Sequence, residues 1–130
     1  MKLIFKTGDK KNYTITVSEK DIAEFETGVV HHFYSTFALG RDAEWACRQF
    51  VLEMKDADEE GIGTFIFVKH HALALVGATV LFEVEVKSMN ENEIICFFIA
   101  TSGGRLIASG ETGQKILKKE RLEKLAQQAQ

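Results

Sequence analysis

Asp42-Ala43-Glu44-Trp45-Ala46-Cys47-Arg48-Gln49-Phe50-Val51-Leu52-Glu53-Met54 sets Ala43, Ala46, Cys47, Phe50, Val51 and Met54 at steps of three and four residues. That spacing lines them along one face of a helix, the most strongly patterned one in the chain. The acidic, glycine-closed run Lys55-Asp56-Ala57-Asp58-Glu59-Glu60-Gly61 then stops it. Beyond the stop, four segments at 62–70, 79–89, 93–101 and 106–117 are rich in β-branched and aromatic residues and predict strands. Between them lie Val76-Gly77, Asn90-Glu91-Asn92 and Ser102-Gly103-Gly104, all turn chemistry. One long helix followed by strands joined through tight turns predicts an α+β arrangement, a mainly antiparallel sheet with the helix packed on one face.

Outward from that core the pattern weakens. Tyr13-Thr14-Ile15-Thr16-Val17 alternates and predicts a further strand after the turn-like Thr7-Gly8-Asp9-Lys10-Lys11-Asn12. The segment 18–35 mixes acidic Asp21, Glu24 and Glu26 with aromatic Phe25, Phe33 and Tyr34, and is expected to be irregular with one helical turn. At the other end Leu122, Leu125, Ala126 and Ala129 fall at helical spacing beside a Glu120/Lys124 pair, so 118–130 is expected to form a short, frayed helix.

With 130 residues, 45% of them hydrophobic, the chain has apolar material for one core, and a single domain over 1–130 is expected. A net charge of -3 offers no general attraction to nucleic acid or to anionic lipid. No run is long and apolar enough for a membrane span, and Met1-Lys2-Leu3-Ile4-Phe5-Lys6 is too short for a signal peptide, so a cytoplasmic protein is expected. Cys47 and Cys96 lack metal-type or redox-type spacing and are expected as buried reduced thiols.

The chemistry-bearing residues lie in two stretches. Ser35-Thr36-Phe37-Ala38-Leu39-Gly40-Arg41-Asp42-Ala43-Glu44-Trp45-Ala46-Cys47 offers a hydroxyl and a carboxylate, and Gly61-Ile62-Gly63-Thr64-Phe65-Ile66-Phe67-Val68-Lys69-His70-His71 offers imidazoles at a strand end. His70 there can serve as a base near neutral pH or can be a hydrogen-bonded structural histidine. His71 would point to the opposite face if the strand continued through it. Glu44 can be a surface carboxylate or, facing a pocket, can activate water or attack a carbonyl. Thr36 can be no more than a helix cap. In an unbroken helix Thr36 and Glu44 would stand about 12 Å apart along the axis and about 80° around it, so direct contact would need a break at Gly40 or groups from two chains. Gly63 would let a substrate approach the backbone and lend an N–H to a developing oxyanion, or be an ordinary loop glycine. Adjacent pairs His31-His32 and His70-His71 are poorly placed to share one metal ion, and no metal is expected. Gly103-Gly104 reads as a hairpin turn and not as a phosphate cradle.

Taken together, Thr-x7-Glu-Trp-Ala-Cys and Gly-Thr-x5-His resemble the hot-dog-fold thioesterases related to fluoroacetyl-CoA thioesterase, over about 36–117. The resemblance implies a hot-dog fold, an antiparallel sheet wrapped around one long central helix, in a homodimer or higher oligomer with sites at the subunit interface. It implies hydrolysis of a small or medium acyl-CoA, with Thr36, Glu44 and His70 catalytic and Gly63, Thr64 and Phe37 binding substrate. No cofactor is implied beyond the CoA of the substrate itself. Relatives often carry prolines where this chain has Phe37, Leu73 and Leu75, and a Gly-x-His-x-Arg-like run where it has Gly110-Glu111-Thr112-Gly113-Gln114-Lys115. Phe33 and Tyr34 find no positional match to the aromatic lid of the fluoroacetyl enzyme, so its acyl specificity does not transfer. A second reading is a non-catalytic acyl-CoA or small-ligand binding protein that keeps the cavity. A dehydratase or isomerase of the same fold would want an Asp/His pair in a hydration-type motif, which the chain lacks.

Overall fold

A computed structural model describes Met1–Gln130. In chain order the elements are β1 (Lys10–Thr16), a single 3-10 turn (Glu19–Asp21), β2 (Ile22–Phe25), β3 (Gly28–Tyr34), α1 (Thr36–Met54), β4 (Glu59–His70), β5 (Thr79–Asn90), β6 (Glu93–Ser102), β7 (Arg105–Lys118) and α2 (Lys119–Gln128). Five strands form one antiparallel sheet in the order β1-β5-β6-β7-β4. This is the expected α+β arrangement, with α1 against one face of the sheet.

Strand periodicity builds the core. Val80, Phe82, Val84 and Val86 alternate along β5, Ile94, Cys96, Phe98 and Ala100 along β6, and all are buried. Opposite them α1 buries Leu39, Ala43, Ala46, Cys47, Phe50, Val51 and Met54. The small Ala43 and Ala46 let the helix axis come close, while Phe50, Phe82 and Phe98 fill the space between, each contributing about 1.5–3 kcal/mol by leaving water.

Two expectations need correction. The helix starts at Thr36, well before Asp42, and runs through Gly40 without a break. Ser35 makes that start possible: its Oγ accepts a hydrogen bond from the Ala38 N–H at 3.2 Å, capping the first turn. The segment 18–35 is also more regular than its composition suggests, since β2 and β3 form a separate two-stranded hairpin with shifted register. This hairpin is tied to the body through a bridge between Phe33 and Leu75.

β4 positions the site. It is an edge strand of 12 residues paired on one side to β7, and its register shifts between Gly63 and Phe65. Below the shift Ile66 and Val68 face α1; a Cβ on Gly40 would lie 3.3 Å from Ile66 Cδ1 and 3.8 Å from Val68 Cγ2. His70, two residues further on, shares that face. No helix is long and apolar enough to cross a membrane.

Candidate active site

Because Ser35 takes the capping role, the Thr36 hydroxyl is free for another partner. Thr36 Oγ1 lies 2.9 Å from His70 Nε2, across the junction between the first turn of α1 and the end of β4. His71 lies just past the end of β4 and turns elsewhere, its Nε2 resting 2.7 Å from Ser109 Oγ. The two adjacent histidines therefore serve different neighbours.

Glu44 sits two turns along the helix from Thr36 and does not bond to His70 within the chain. Its half-buried carboxylate rests against β4 where Gly63 provides room: a Cβ on Gly63 would stand 2.6 Å from Glu44 Oε1. A side chain there would displace the carboxylate, so glycine at position 63 and the placement of Glu44 are one feature. Paired with Gly63 across the sheet, the buried Gln114 donates from Nε2 to the Glu44 carbonyl oxygen at 3.4 Å, in the final strand where the relatives' motif is altered. The Thr64 hydroxyl donates to Glu93 at 2.8 Å, so Thr64 borders the Glu44–Gly63 recess with its side chain already engaged.

A cleft of about 560 Å³ joins the two halves, running along α1 from Thr36 past Gly40 to Glu44, with Ile66 and Val68 of β4 as its other wall. Phe37 stands at its mouth, 52% exposed, and packs edge-on against Phe25 of the β2–β3 hairpin at 6.1 Å between ring centres. The structure thus gathers Thr36 with His70 directly, and Glu44 with Gly63 at the other end of the same cleft. A separate depression on the opposite face of the sheet, lined by Lys10, Asn12, Glu83 and Phe97, holds no hydroxyl or imidazole.

A polar network beside the cleft escaped the reading of the motifs. Arg41 donates from Nε to Asp42 Oδ1 at 3.0 Å, and from Nη2 to Asp42 Oδ2 at 3.1 Å and Asp21 Oδ1 at 2.8 Å. The Tyr34 hydroxyl also donates to Asp42, and Asp21 accepts from the Ser18 N–H and hydroxyl. Both carboxylates are buried. Burial pushes the Asp21 carboxyl up, but the bonds from Ser18 and Arg41 outweigh it and hold it below the ordinary range. Hydrogen bonds to Asp42 and then Asp21 raise the Arg41 guanidinium further, and burial followed by the Asp42 bond raises the Tyr34 phenol, so both keep their protons. The signal was present in Ser18-Glu19-Lys20-Asp21, a capping-box spacing that fixes Asp21 next to the hairpin.

The two cysteines are free and buried, as expected. Their thiols meet across the helix–sheet interface, and the bond from Cys47, with burial added, drives the Cys96 thiol upward. His31 is locally engaged, its Nδ1 accepting from the Phe33 N–H at 3.1 Å.

Residues 17–120 match the family described as FlK, fluoroacetyl-CoA-specific thioesterase. Among solved structures, a Thermus thermophilus member of the thioesterase superfamily is similar at 29% identity and a TM-score of 0.90, over 95% of this chain and 92% of that one. A hot-dog-like protein from Thermanaerovibrio acidaminovorans is similar at 20% identity and a TM-score of 0.87, over 96% of this chain and 93% of that one. The fluoroacetyl-CoA thioesterase FlK is similar at 21% identity and a TM-score of 0.84, over 97% of this chain and 98% of that one. No curated protein matches the chain. The family match spans most of the sequence and the fold is the hot-dog fold of these structures; the chain therefore belongs to the fluoroacetyl-CoA-specific thioesterase family and is a thioester hydrolase of the acyl-CoA class.

Proposed function

We propose that the protein is a homodimeric, cytoplasmic thioesterase that hydrolyses small or medium acyl-CoA, with Thr36, Glu44 and His70 as catalytic groups and Gly63, Thr64 and Phe37 as substrate contacts. One observation carries this reading: a single apolar cleft connects the Thr36–His70 pair to the Glu44 carboxylate. FlK itself is known in complex with acetyl-CoA, as a variant, and another FlK variant with fluoroacetate and CoA. The fluoroacetyl preference is not carried over, because the hairpin of this chain presents Phe25 and not a matched aromatic lid.

The chemistry follows from the leaving group. A thiol of pKa about 8.5 departs as thiolate, so the enzyme supplies a nucleophile, a base and an oxyanion site and requires no metal or cofactor. Glu44 acts on the thioester carbonyl. In the direct route its carboxylate forms a mixed anhydride as the C–S bond breaks, and water, losing its proton to His70, then cleaves the anhydride. In the indirect route Glu44 takes a proton from water and the hydroxide attacks. Thr36 fixes the orientation of the His70 ring through its hydroxyl, and the Gly63 N–H meets the developing oxyanion.

Dimerisation would close the distance between His70 and Glu44. The edge of β4 exposes Phe65, Ile66 and Phe67, and a long apolar edge calls for a partner. Antiparallel pairing of two β4 strands about Ile66 brings the Gly63 end of one protomer beside the His70 end of the other. Replacing Phe65 and Phe67 together by Lys should yield monomers in sedimentation and reduce turnover; a fully active monomer would remove the interfacial site.

Activity is tested by thiol release across an acyl-CoA panel with wild type, Glu44→Ala and His70→Ala. Loss in both variants supports the assignments, and unchanged activity in both removes them. Trapping of an acyl hydroxamate from enzyme and substrate at single turnover identifies the anhydride route.

A further inference from the structure

We infer that the acyl cleft selects uncharged acyl groups and rejects those ending in a carboxylate, and that Asp21 and Asp42 set this preference by engaging Arg41. The inference rests on the reading of this cleft as the acyl site and adds the substrate class.

Arg41 is the only cation among the side chains lining the cleft. Left free, a guanidinium there would be a ready-made fork for the far carboxylate of a dicarboxylic acyl group. It is not free. Its Nε and Nη2 are turned onto Asp42 in a two-point contact, and Nη2 is shared with Asp21. These partners are themselves buried and held from behind, Asp42 by the Tyr34 hydroxyl and Asp21 by the Ser18 backbone and hydroxyl. Drawing Nε and Nη2 of Arg41 off to a carboxylate on the acyl chain would leave two buried carboxylates without their cation.

The charge balance points the same way. Around the cleft one guanidinium stands against the three carboxylates of Asp21, Asp42 and Glu44, and a terminal carboxylate on the acyl chain would add a fourth negative charge. The walls that remain for the acyl chain are Gly40, Ile66, Val68 and Phe37, which offer hydrocarbon contact and no hydrogen-bond donor from a side chain. A short aliphatic or aromatic acyl group fits that lining. A malonyl, succinyl or glutaryl group meets like charge and an occupied cation.

The test compares binding of non-hydrolysable thioethers, S-butyl-CoA and S-pentyl-CoA against S-(3-carboxypropyl)-CoA and S-(4-carboxybutyl)-CoA, by calorimetry on the wild-type protein. The expected result is weaker binding of the carboxylated series by about 100-fold. Equal affinity within threefold overturns the inference, whether or not the protein turns over thioesters, and leaves the thioesterase reading intact. Failure of both series to bind overturns it together with the assignment of the cleft. Absence of turnover with any acyl-CoA, while the alkyl series binds selectively, overturns the catalytic reading alone. In the variant Asp21→Asn, which removes one negative charge and leaves a single acceptor oxygen for the Ser18 and Arg41 donors, the discrimination should shrink about tenfold. Discrimination unchanged in a folded Asp21→Asn protein would show that Asp21 does not set it.

Discussion

Thr36 Oγ1 and His70 Nε2 meet at 2.9 Å because the residue before the threonine, and not the threonine, caps the helix. Had Thr36 capped α1, its hydroxyl would have been spent on a backbone N–H. With Ser35 in that role, a hydroxyl at the first helical position can orient an imidazole at the end of the neighbouring strand.

His70→Ala should lower kcat/KM by about 100- to 10,000-fold, the range for losing a general base. Thr36→Val should show a smaller loss, mainly in kcat, since it removes the ring's anchor and leaves the ring. Thr36→Ser keeps the oxygen and should stay within a fewfold of wild type. Steady-state thiol release over the three variants checks the order; a Thr36→Val enzyme as active as Thr36→Ser would show that the hydroxyl contact does no catalytic work.

Gly63→Ala separates placement from folding. The added methyl would stand 2.6 Å from Glu44 Oε1, a distance that forces the carboxylate to swing away. Only the far end of a flexible side chain has to move, so stability should change by less than about 1 kcal/mol. Displacement of the reacting group by about 1 Å is enough to cost about 100-fold in kcat. Parallel urea melts and kinetics check this, and full activity in Gly63→Ala would show that the present position of Glu44 is not the reactive one.

Gly40→Ala should have opposite effects on stability and on substrate range. A glycine inside a helix costs about 1 kcal/mol relative to alanine. The new methyl would lie 3.3 Å from Ile66 Cδ1, the mobile tip of a side chain that is 44% exposed and free to turn aside. The melting temperature should therefore rise, by about 4 °C at most. The same methyl narrows the cleft, so KM should rise for longer acyl chains more than for acetyl. A drop in melting temperature would mean that Ile66 cannot give way.

How much of this could be read from the chain depends on whether local pattern or tertiary contact decides a residue's place. The stripe from Ala43 to Met54 and the alternation along β5 and β6 are local, and they sufficed for the helix on an antiparallel sheet. The hairpin was hidden because Val29-Val30-His31-His32-Phe33-Tyr34 pairs like with like and does not alternate, and its strands are held by each other and by Leu75 instead of by the main sheet. The first turns of α1 were hidden for a similar reason: Gly40 and the Arg41-Asp42 pair look like a helix boundary until Tyr34 and Asp21 are seen to occupy Asp42 and Arg41 from outside. In the site, the contact of Thr36 with His70 joins residues 34 apart in sequence, and the Arg41 network joins residues 20 apart. No spacing rule within either stretch specifies such pairings.

That network also predicts how stability responds to acid. The folded-state Asp21 carboxyl lies below its ordinary value, because the Ser18 and Arg41 bonds outweigh the upward push of burial. As pH falls through about 4, the unfolded chain takes up a proton at this residue that the folded chain still refuses. Asp21 therefore stabilises the fold fully above that pH, and its contribution declines as the pH drops toward and through the lower folded value. Glu60 and Asp58, held low by hydrogen bonds from Arg48 and Lys118 respectively, add to the same acid limb, so the informative quantity is the difference between two proteins. Asp21→Asn should be less stable than wild type at pH 6, and the gap should close as the pH approaches 3. Urea midpoints measured at half-unit steps check this. A gap that stays constant across the range would mean that Asp21 acts only through its shape and hydrogen bonds, and that its charge, on which the engagement of Arg41 depends, contributes nothing.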